Sequence, residues 1–264
     1  MKTALVDIDS ILFAAGSLAE TVYHVVDGIR FNYKSEANEF CDLHNIDRSS
    51  IEREVDAQPA SHAINILKTT VQAAVREAGC IEYEAYLSPT DKSNFRFAVD
   101  PEYKANRKDL VKPVHFKALR EYAIRYMGVQ VVSGMEADDI LSIRAHELGF
   151  ENAVIITIDK DMRQVPCWHY NWQKKGPVEK VSEHEARVNF YTQLLTGDSI
   201  DNIKGCPGIG PAKARKILAG LKDEADMMAA CLQAFVTAYD GDEDEAKAQL
   251  RLNASLVHLL WKRP

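Results

Sequence analysis

No Cys-x-x-Cys pair occurs in this chain of 264 residues, and its five cysteines (Cys41, Cys80, Cys167, Cys206, Cys231) are odd in number and far apart. That leaves no basis for a disulfide framework or a zinc site, and the thiols are expected reduced, in or near the core. Long hydrophobic runs are missing as well. The longest apolar stretches, such as 153–158, are strand-sized and far short of the roughly 20 residues that span a bilayer. Met1 and Lys2 lead straight into a short apolar segment with no signal-peptide layout, so a soluble, cytoplasmic protein with no membrane partner is expected. Positive charge is also in deficit, with 39 acidic against 32 basic residues. The average therefore lacks the basic footprint of a polyanion binder, although the distribution alters that reading. Repeats and low-complexity tracts are absent.

What is present is an ordinary globular composition, 46% apolar and 27% charged, with length for one large domain and a smaller one. Residues 3–6, 81–87, 129–132 and 153–158 are short β-rich apolar runs with helical patterns between them. The alternation predicts an α/β fold, a parallel-core sheet flanked by helices. Residues 21–26 and 29–33 flank Asp27-Gly28, which suits a tight hairpin turn. A helix is expected over 62–78, stopped at Gly79, and Asp9 or Ser10 is expected to cap a helix from Ile11. From about residue 191 the strand signal gives way to short helical segments, so the expected domains are 1–190 (α/β) and 191–264 (helical). The acidic run 240–245 reads as an exposed loop or helix start.

In open α/β sheets, ligands bind outside the carboxyl ends of the strands. Asp7 follows the first run, Asp91 the second, Glu136, Asp138 and Asp139 the third, and Asp159 and Asp161 the fourth. Topology predicts these seven on one rim. Asp198 and Asp201, three apart, share a helix face if 192–203 is helical. Taken singly, each group has a plain reading: a capped helix start, a turn, a solvated face. Taken together they repel, since like charges about 4 Å apart cost roughly 4 kcal/mol at an effective dielectric near 20. Cations are the natural compensation, and oxygen donors without His or Cys favour Mg²⁺ or Mn²⁺ over zinc. Two such ions about 3.5–4 Å apart suit an in-line phosphoryl displacement. With these nine acids set aside, 30 acidic residues face 32 basic ones, so the remainder is not acidic.

Two segments carry the positive charge. Between Ile203 and Lys222 lie Lys204, Lys213, Arg215, Lys216 and Lys222 and no acid, around Gly205, Gly208 and Gly210. The glycines and Pro211 resemble a helix–hairpin–helix turn, whose free N–H groups can bind phosphate without reading sequence; an ordinary helix connection is the plainer alternative. The segment 92–125 interleaves bases with Phe95, Phe97 and Tyr103, as suits a single strand. Lys104, Arg107 and Lys108 share a face if it is helical, and its plainer reading is an amphipathic surface helix.

These elements in this order resemble the flap endonuclease and 5′-nuclease family, particularly its stand-alone bacteriophage 5′-to-3′ exonucleases. The stretches that carry the resemblance are Val6-Asp7, Asp91-Lys92-Ser93 with Tyr103-Lys-Ala-Asn-Arg107, Glu136-Ala-Asp-Asp139, Thr157-Ile-Asp159-Lys-Asp161 and Gly197-Asp198-Ser-Ile-Asp201-Asn202. The resemblance runs from Val6 to about Leu218. Ile8 stands where the family commonly has Gly, and 21–59 has no assignable counterpart. It implies a PIN-like 5′-nuclease fold with a helical arch near 92–125 and a C-terminal helical helix–hairpin–helix subdomain near 197–220. It further implies a metal-dependent 5′-to-3′ exonuclease and flap endonuclease with two Mg²⁺ ions. Asp7, Asp91, Glu136, Asp138 and Asp139 would serve mainly the tighter site, and Asp159, Asp161, Asp198 and Asp201 the second. Lys104 and Arg107 would meet the scissile phosphate. Lys92, Tyr103, Lys108 and the glycine turn would contact DNA, with a K⁺ on the turn's carbonyls. The implied substrates are duplex ends, nicks or 5′ flaps, with RNA–DNA hybrids a further candidate, and replication proteins are candidate partners; a phage-encoded chain would work in the host cytoplasm.

Two other readings compete. Asp7-Ile-Asp9 after a strand resembles the nucleophile motif of haloacid-dehalogenase-type phosphatases, but leaves Glu136–Asp139 and the glycine turn without a role. A non-catalytic DNA-binding module would use the turn alone and leave the repelling acids unexplained.

Overall fold

Complete burial of Ala4, Leu5 and Val6, and of all four residues Ala153–Ile156, marks two strands covered on both faces, as parallel sheets require. The structure, a computed structural model, describes residues 2–108 and 110–263. In chain order it begins β1 (Thr3–Asp7), α1 (Ile8–Leu18), β2 (Glu20–Val26), β3 (Ile29–Phe31), α2 (Lys34–His44), β4 (Glu52–Ala57), α3 (Ala60–Glu77) and β5 (Glu82–Leu87). There follow α4 (Arg96–Val99), α5 (Phe116–Tyr126), β6 (Gln130–Val131), α6 (Ala137–Leu148), β7 (Ala153–Ile156), β8 (Trp168–Tyr170) and β9 (Glu179–Lys180). The chain closes with α7 (Glu183–Thr196), β10 (Gly197–Asp198), β11 (Ile203–Lys204), α8 (Pro211–Leu218), α9 (Glu224–Ala238) and α10 (Glu243–Val257).

Two compact units result. The first comprises Met1–Ser10, Val71–Val111 and Gly128–Pro264. Its six-stranded sheet has the order β6-β5-β1-β7-β8-β9, parallel except at β8–β9. The register pairs Asp7 with Tyr86 and Val6 with Ile156, so β1, β5 and β7 release their chains along one edge. One core gathers Leu5, Ile140, Leu141, Ile143 and Ile155 between sheet and α6. A second gathers Tyr103, Leu194, Leu195, Met227 and Phe235 among the C-terminal helices.

The second unit, Ile11–Thr70 with Lys112–Met127, holds a three-stranded antiparallel sheet in the order β3-β2-β4. Val26, Ala37 and Cys41 form its small core.

All four expected sheet strands form, β1 reaching one residue further and the other three trimmed by one or two residues at an end. The hairpin at Asp27-Gly28 forms with φ of 49° and 78°, and α3 ends before Gly79, whose φ is 71°. All five cysteines are buried free thiols. Four expectations need correction. Helix α1 starts at Ile8, so Asp9 lies inside its first turn and is no cap. Residues 192–203 are not one helix: α7 stops at Gly197, whose φ of 65° leaves the helical region and where a Cβ would run into the backbone of Ile203–Gly205, and a β10–β11 hairpin follows. Segment 92–125 is broken into α4, a 3₁₀ turn at Ala105–Arg107, and α5. The boundary expected near residue 190 does not separate the compact units, because α7 and α10 pack into the sheet-bearing one. Among the described residues, no helix is long and apolar enough to cross a membrane.

Candidate active site

Asp7 is the last residue of β1 and only 6% exposed. Its Oδ2 accepts the Thr157 hydroxyl at 2.9 Å, and Thr157 Oγ1 in turn accepts the Asp159 amide at 3.0 Å, which ties the ends of β1 and β7 together. Burial, helped by the charge of Asp9, pushes the Asp7 carboxyl up to about 6. Asp138 sits in the first turn of α6, and burial followed by the charges of Asp159, Asp7 and Glu136 holds it well above the usual carboxylate range.

Asp159 is raised by burial, against a hydrogen bond from the Asp161 amide and with the charges of Asp201 and Asp198 adding to the rise. Burial, then Asp159 and Asp198, push Asp161 up to about 8. Asp161 Oδ2 also accepts Gln193 Nε2 at 2.8 Å. Asp198 and Asp201 reach this field from the β10–β11 turn, not from a helix face. Asp7, Glu136, Asp138, Asp159, Asp161, Asp198 and Asp201 thus lie in one electrostatic cluster.

Local cations partly compensate it. The loop from Glu102 to Arg107 is zipped onto the 199–202 turn, with the Lys104 amide on Asp201 O at 2.9 Å and Asn106 Nδ2 on Ser199 O at 2.7 Å. Lys104, in a left-handed backbone conformation with φ of 56°, carries its ammonium to Glu136 and to within 3.5 Å of Asp201. Burial disfavours its charge, but attraction to Glu136 and Asp201 prevails and raises its pKa. Arg107 pairs with Asp201. The Tyr103 hydroxyl stands 2.8 Å from Glu136 and 3.0 Å from Asp201, and burial followed by those two charges raises its pKa.

Several expected site residues fall elsewhere. Asp91 is exposed and holds the Ser93 amide of its own turn, which lowers its pKa. Asp139 is fully buried against Arg96 and accepts four N–H groups. Tyr103, expected to stack on bases, is 2% exposed and packs edge-on against Phe97. Gly205 is not open for phosphate approach, because a Cβ there would strike the end of α7. Gly208, with φ of 72°, and Gly210 face open space. Gly210 caps α8, Pro211 opens it, and Lys213, Arg215 and Lys216 project from it exposed. Lys213 Nζ reaches Gly208 O at 2.8 Å. Lys92 and Lys108 are exposed.

Among the described residues, no three His, Cys, Asp or Glu side chains are drawn together into a finished metal cage. Lys104 and Arg107 instead pair with two of the acids, Glu136 and Asp201. The donor chemistry nevertheless fits a hard divalent ion, since the cluster offers carboxylate oxygens only, and burial and neighbouring charge raise Asp7, Asp138, Asp159 and Asp161 within it. Sequence reading missed Arg96, Gln193 and the role of Thr157. Only Arg96 left a signal, a base flanked by Phe95 and Phe97 in a stretch read as surface.

Fold and site together define a 5′-nuclease-like α/β protein, and comparison with known sequences agrees. The chain belongs to the family of the 5′-3′ exonuclease, N-terminal resolvase-like domain, whose model matches residues 24–190. That match includes most of 21–59, for which the motifs alone offered no counterpart. The exodeoxyribonuclease of Enterobacteria phage T3 is 31% identical over 171 residues, or 61% of this chain, and the match spans 57% of that relative's length. The flap endonuclease Xni of Shewanella sediminis is 27% identical over 226 residues, 77% of this chain and 85% of the relative. A T5 5′-exonuclease solved with zinc bound shares the fold at a TM-score of 0.59 and 17% identity, covering 98% of this chain and 90% of that one.

Proposed function

We propose that this chain hydrolyses DNA phosphodiester bonds as a 5′-to-3′ exonuclease and structure-specific flap endonuclease, using two Mg²⁺ ions for which Mn²⁺ can substitute. The observation that carries the reading is the convergence of Asp7, Asp138, Asp159 and Asp161, each with a raised carboxyl pKa, at the carboxyl edge of a parallel sheet. Asp7, Glu136 and Asp138 would hold one ion; Asp159, Asp161, Asp198 and Asp201 would hold the other. Such ions supply activation of water and stabilisation of the leaving oxygen.

The chain's own groups do the positioning. Tyr103 sets the spacing of Glu136 and Asp201, because one buried hydroxyl lies within hydrogen-bonding distance of both. Lys104 and Arg107 are the cations beside the cluster, and once their carboxylates are otherwise neutralised they are free to meet the scissile phosphate. Gly208, Gly210 and the N-terminus of α8, with Lys213, Arg215 and Lys216, would grip duplex phosphates irrespective of sequence. Any K⁺ on the turn's carbonyls would share Gly208 O with Lys213. The relatives' names, exodeoxyribonuclease and flap endonuclease, support both halves of the reading. Duplex ends, nicks, 5′ flaps and RNA–DNA hybrids are the substrates to compare, in the cytoplasm and alongside replication proteins.

Incubation with 5′-labelled blunt, nicked and flapped duplexes tests the reading directly. Cleavage near the 5′ end in Mg²⁺, and none in EDTA, is expected. Intact but bound DNA under both conditions would leave a binding module in place of an enzyme.

A further inference from the structure

Arg96 is 2% exposed, yet its guanidinium is fully engaged. Nη1 and Nη2 grip Asp139 bidentately at 2.7 and 2.9 Å; Nε donates to Leu256 O at 2.8 Å and Nη2 to His258 O at 2.9 Å. The remaining Nη1 side faces Glu136 Oε2 at 3.6 Å. These two carbonyls belong to the end of α10 and the chain just beyond it, where helices leave acceptors free and favour a cation. Asp139 completes the arrangement by accepting the Leu260 amide at 3.2 Å and the Glu136 amide at 3.1 Å. Four donors fill the roughly four lone-pair sites of a carboxylate.

The same short segment is fastened to the other side of the acidic cluster. Val257 O accepts Gln164 Nε2 at 3.0 Å, Gln164 meets Gln193, and Gln193 holds Asp161. Leu259 anchors the segment in the core beside Ala137 and Ile140.

We infer that residues 256–260 form a clasp which positions the metal-binding acids, and that Asp139 is a positioning residue of this clasp and not a metal ligand. The inference rests on the metal-dependent reading above and departs from what the family resemblance implies for Asp139. Orientation passes from the segment through Asp139 to the Glu136 amide and so to the opening of α6, where Asp138 and Glu136 face the cluster. Outer partners of this kind commonly set metal affinity by about 10- to 100-fold without supplying a bond to the ion.

The test is Mn²⁺ binding without DNA, by calorimetry and electron paramagnetic resonance, on Asp138→Asn, Asp139→Asn and Leu260→Pro proteins. Leu260→Pro removes the amide that reaches Asp139 and touches no acid. Asp139→Asn and Leu260→Pro should bind the wild-type number of ions with about 10- to 100-fold weaker affinity, and the half-saturating metal concentration for cleavage should rise in step while kcat at saturating metal is retained. Loss of a bound ion from folded Asp139→Asn would make Asp139 a ligand and overturn the proposal. Unchanged Mn²⁺ affinity in Leu260→Pro would reduce the segment to a stability element, and this variant decides the matter if Asp139→Asn does not fold. Undiminished Mn²⁺ binding by Asp138→Asn would instead sink the metal reading on which the proposal stands.

Discussion

Asp138 and Asp139 share one helical turn yet belong to regions with opposite electrostatics. In the rim, Asp138 meets the charges of Asp159, Asp7 and Glu136, and Lys104 only partly offsets them. In the clasp, Asp139 is neutralised by Arg96 and saturated with hydrogen bonds. One step along a helix turns the side chain by about 100°, enough to send one carboxylate to the acidic cluster and the next into the core. Buried charge therefore carries no single meaning. A carboxylate with all its lone pairs filled holds structure together, whereas carboxylates left facing one another hold binding energy in reserve for a cation.

Single substitutions on the two sides should separate most widely. Asp138→Asn should cut single-turnover cleavage on the order of a thousandfold, since ion-mediated charge stabilisation is worth several kcal/mol, while DNA binding by fluorescence anisotropy and thermal stability persist. Arg96→Ala should instead lower stability in urea by about 3–5 kcal/mol, because it strands a buried charge. Equal stability losses for the two variants would erase the distinction between rim and clasp.

A smaller effect lies in pH. Unfolded aspartates titrate near ~4, whereas Asp7 and Asp161 in the native protein titrate at about 6 and about 8. Between those values the native state holds protons that the unfolded chain has released, so these groups make stability fall as pH rises from 4 towards 8. In EDTA the melting temperature should drop over that window, and Asp161→Asn should flatten its upper part. Added Mg²⁺ should restore more at pH 8 than at pH 5; an equal gain at both would mean that the rim acids are not the groups being neutralised.

The smallest change concerns the second basic element. Lys213→Ala should weaken DNA binding and reduce the slope of log affinity against log salt by ~1, with no shift in metal dependence. An unchanged slope would remove Lys213 from the phosphate contacts.

Much of the sheet was legible in advance because parallel strands buried on both faces leave continuous apolar runs, and the residues after each run, Asp7, Glu136 and Asp159, fall at the carboxyl edge by topology alone. Less legible were features set by close approach. Gly205 looks like a phosphate-loop glycine in a linear reading, but it, like Gly197, is required by backbone contact between α7 and the hairpin. Tyr103 looks like a stacking aromatic among bases; its burial follows from the core of C-terminal helices that closes over it.

The sequence by itself determined the α/β class, the edge at which the acids gather and the basic glycine turn, because strand periodicity and chain order are local properties. Only the tertiary structure decided which acids compete for a cation and which are already satisfied. That outcome depends on groups far apart in the chain: Arg96 meets Asp139 and the carbonyls of Leu256 and His258, and Lys104 meets Glu136 and Asp201. Electrostatic energy follows distance in space and burial, neither of which a linear order of residues contains.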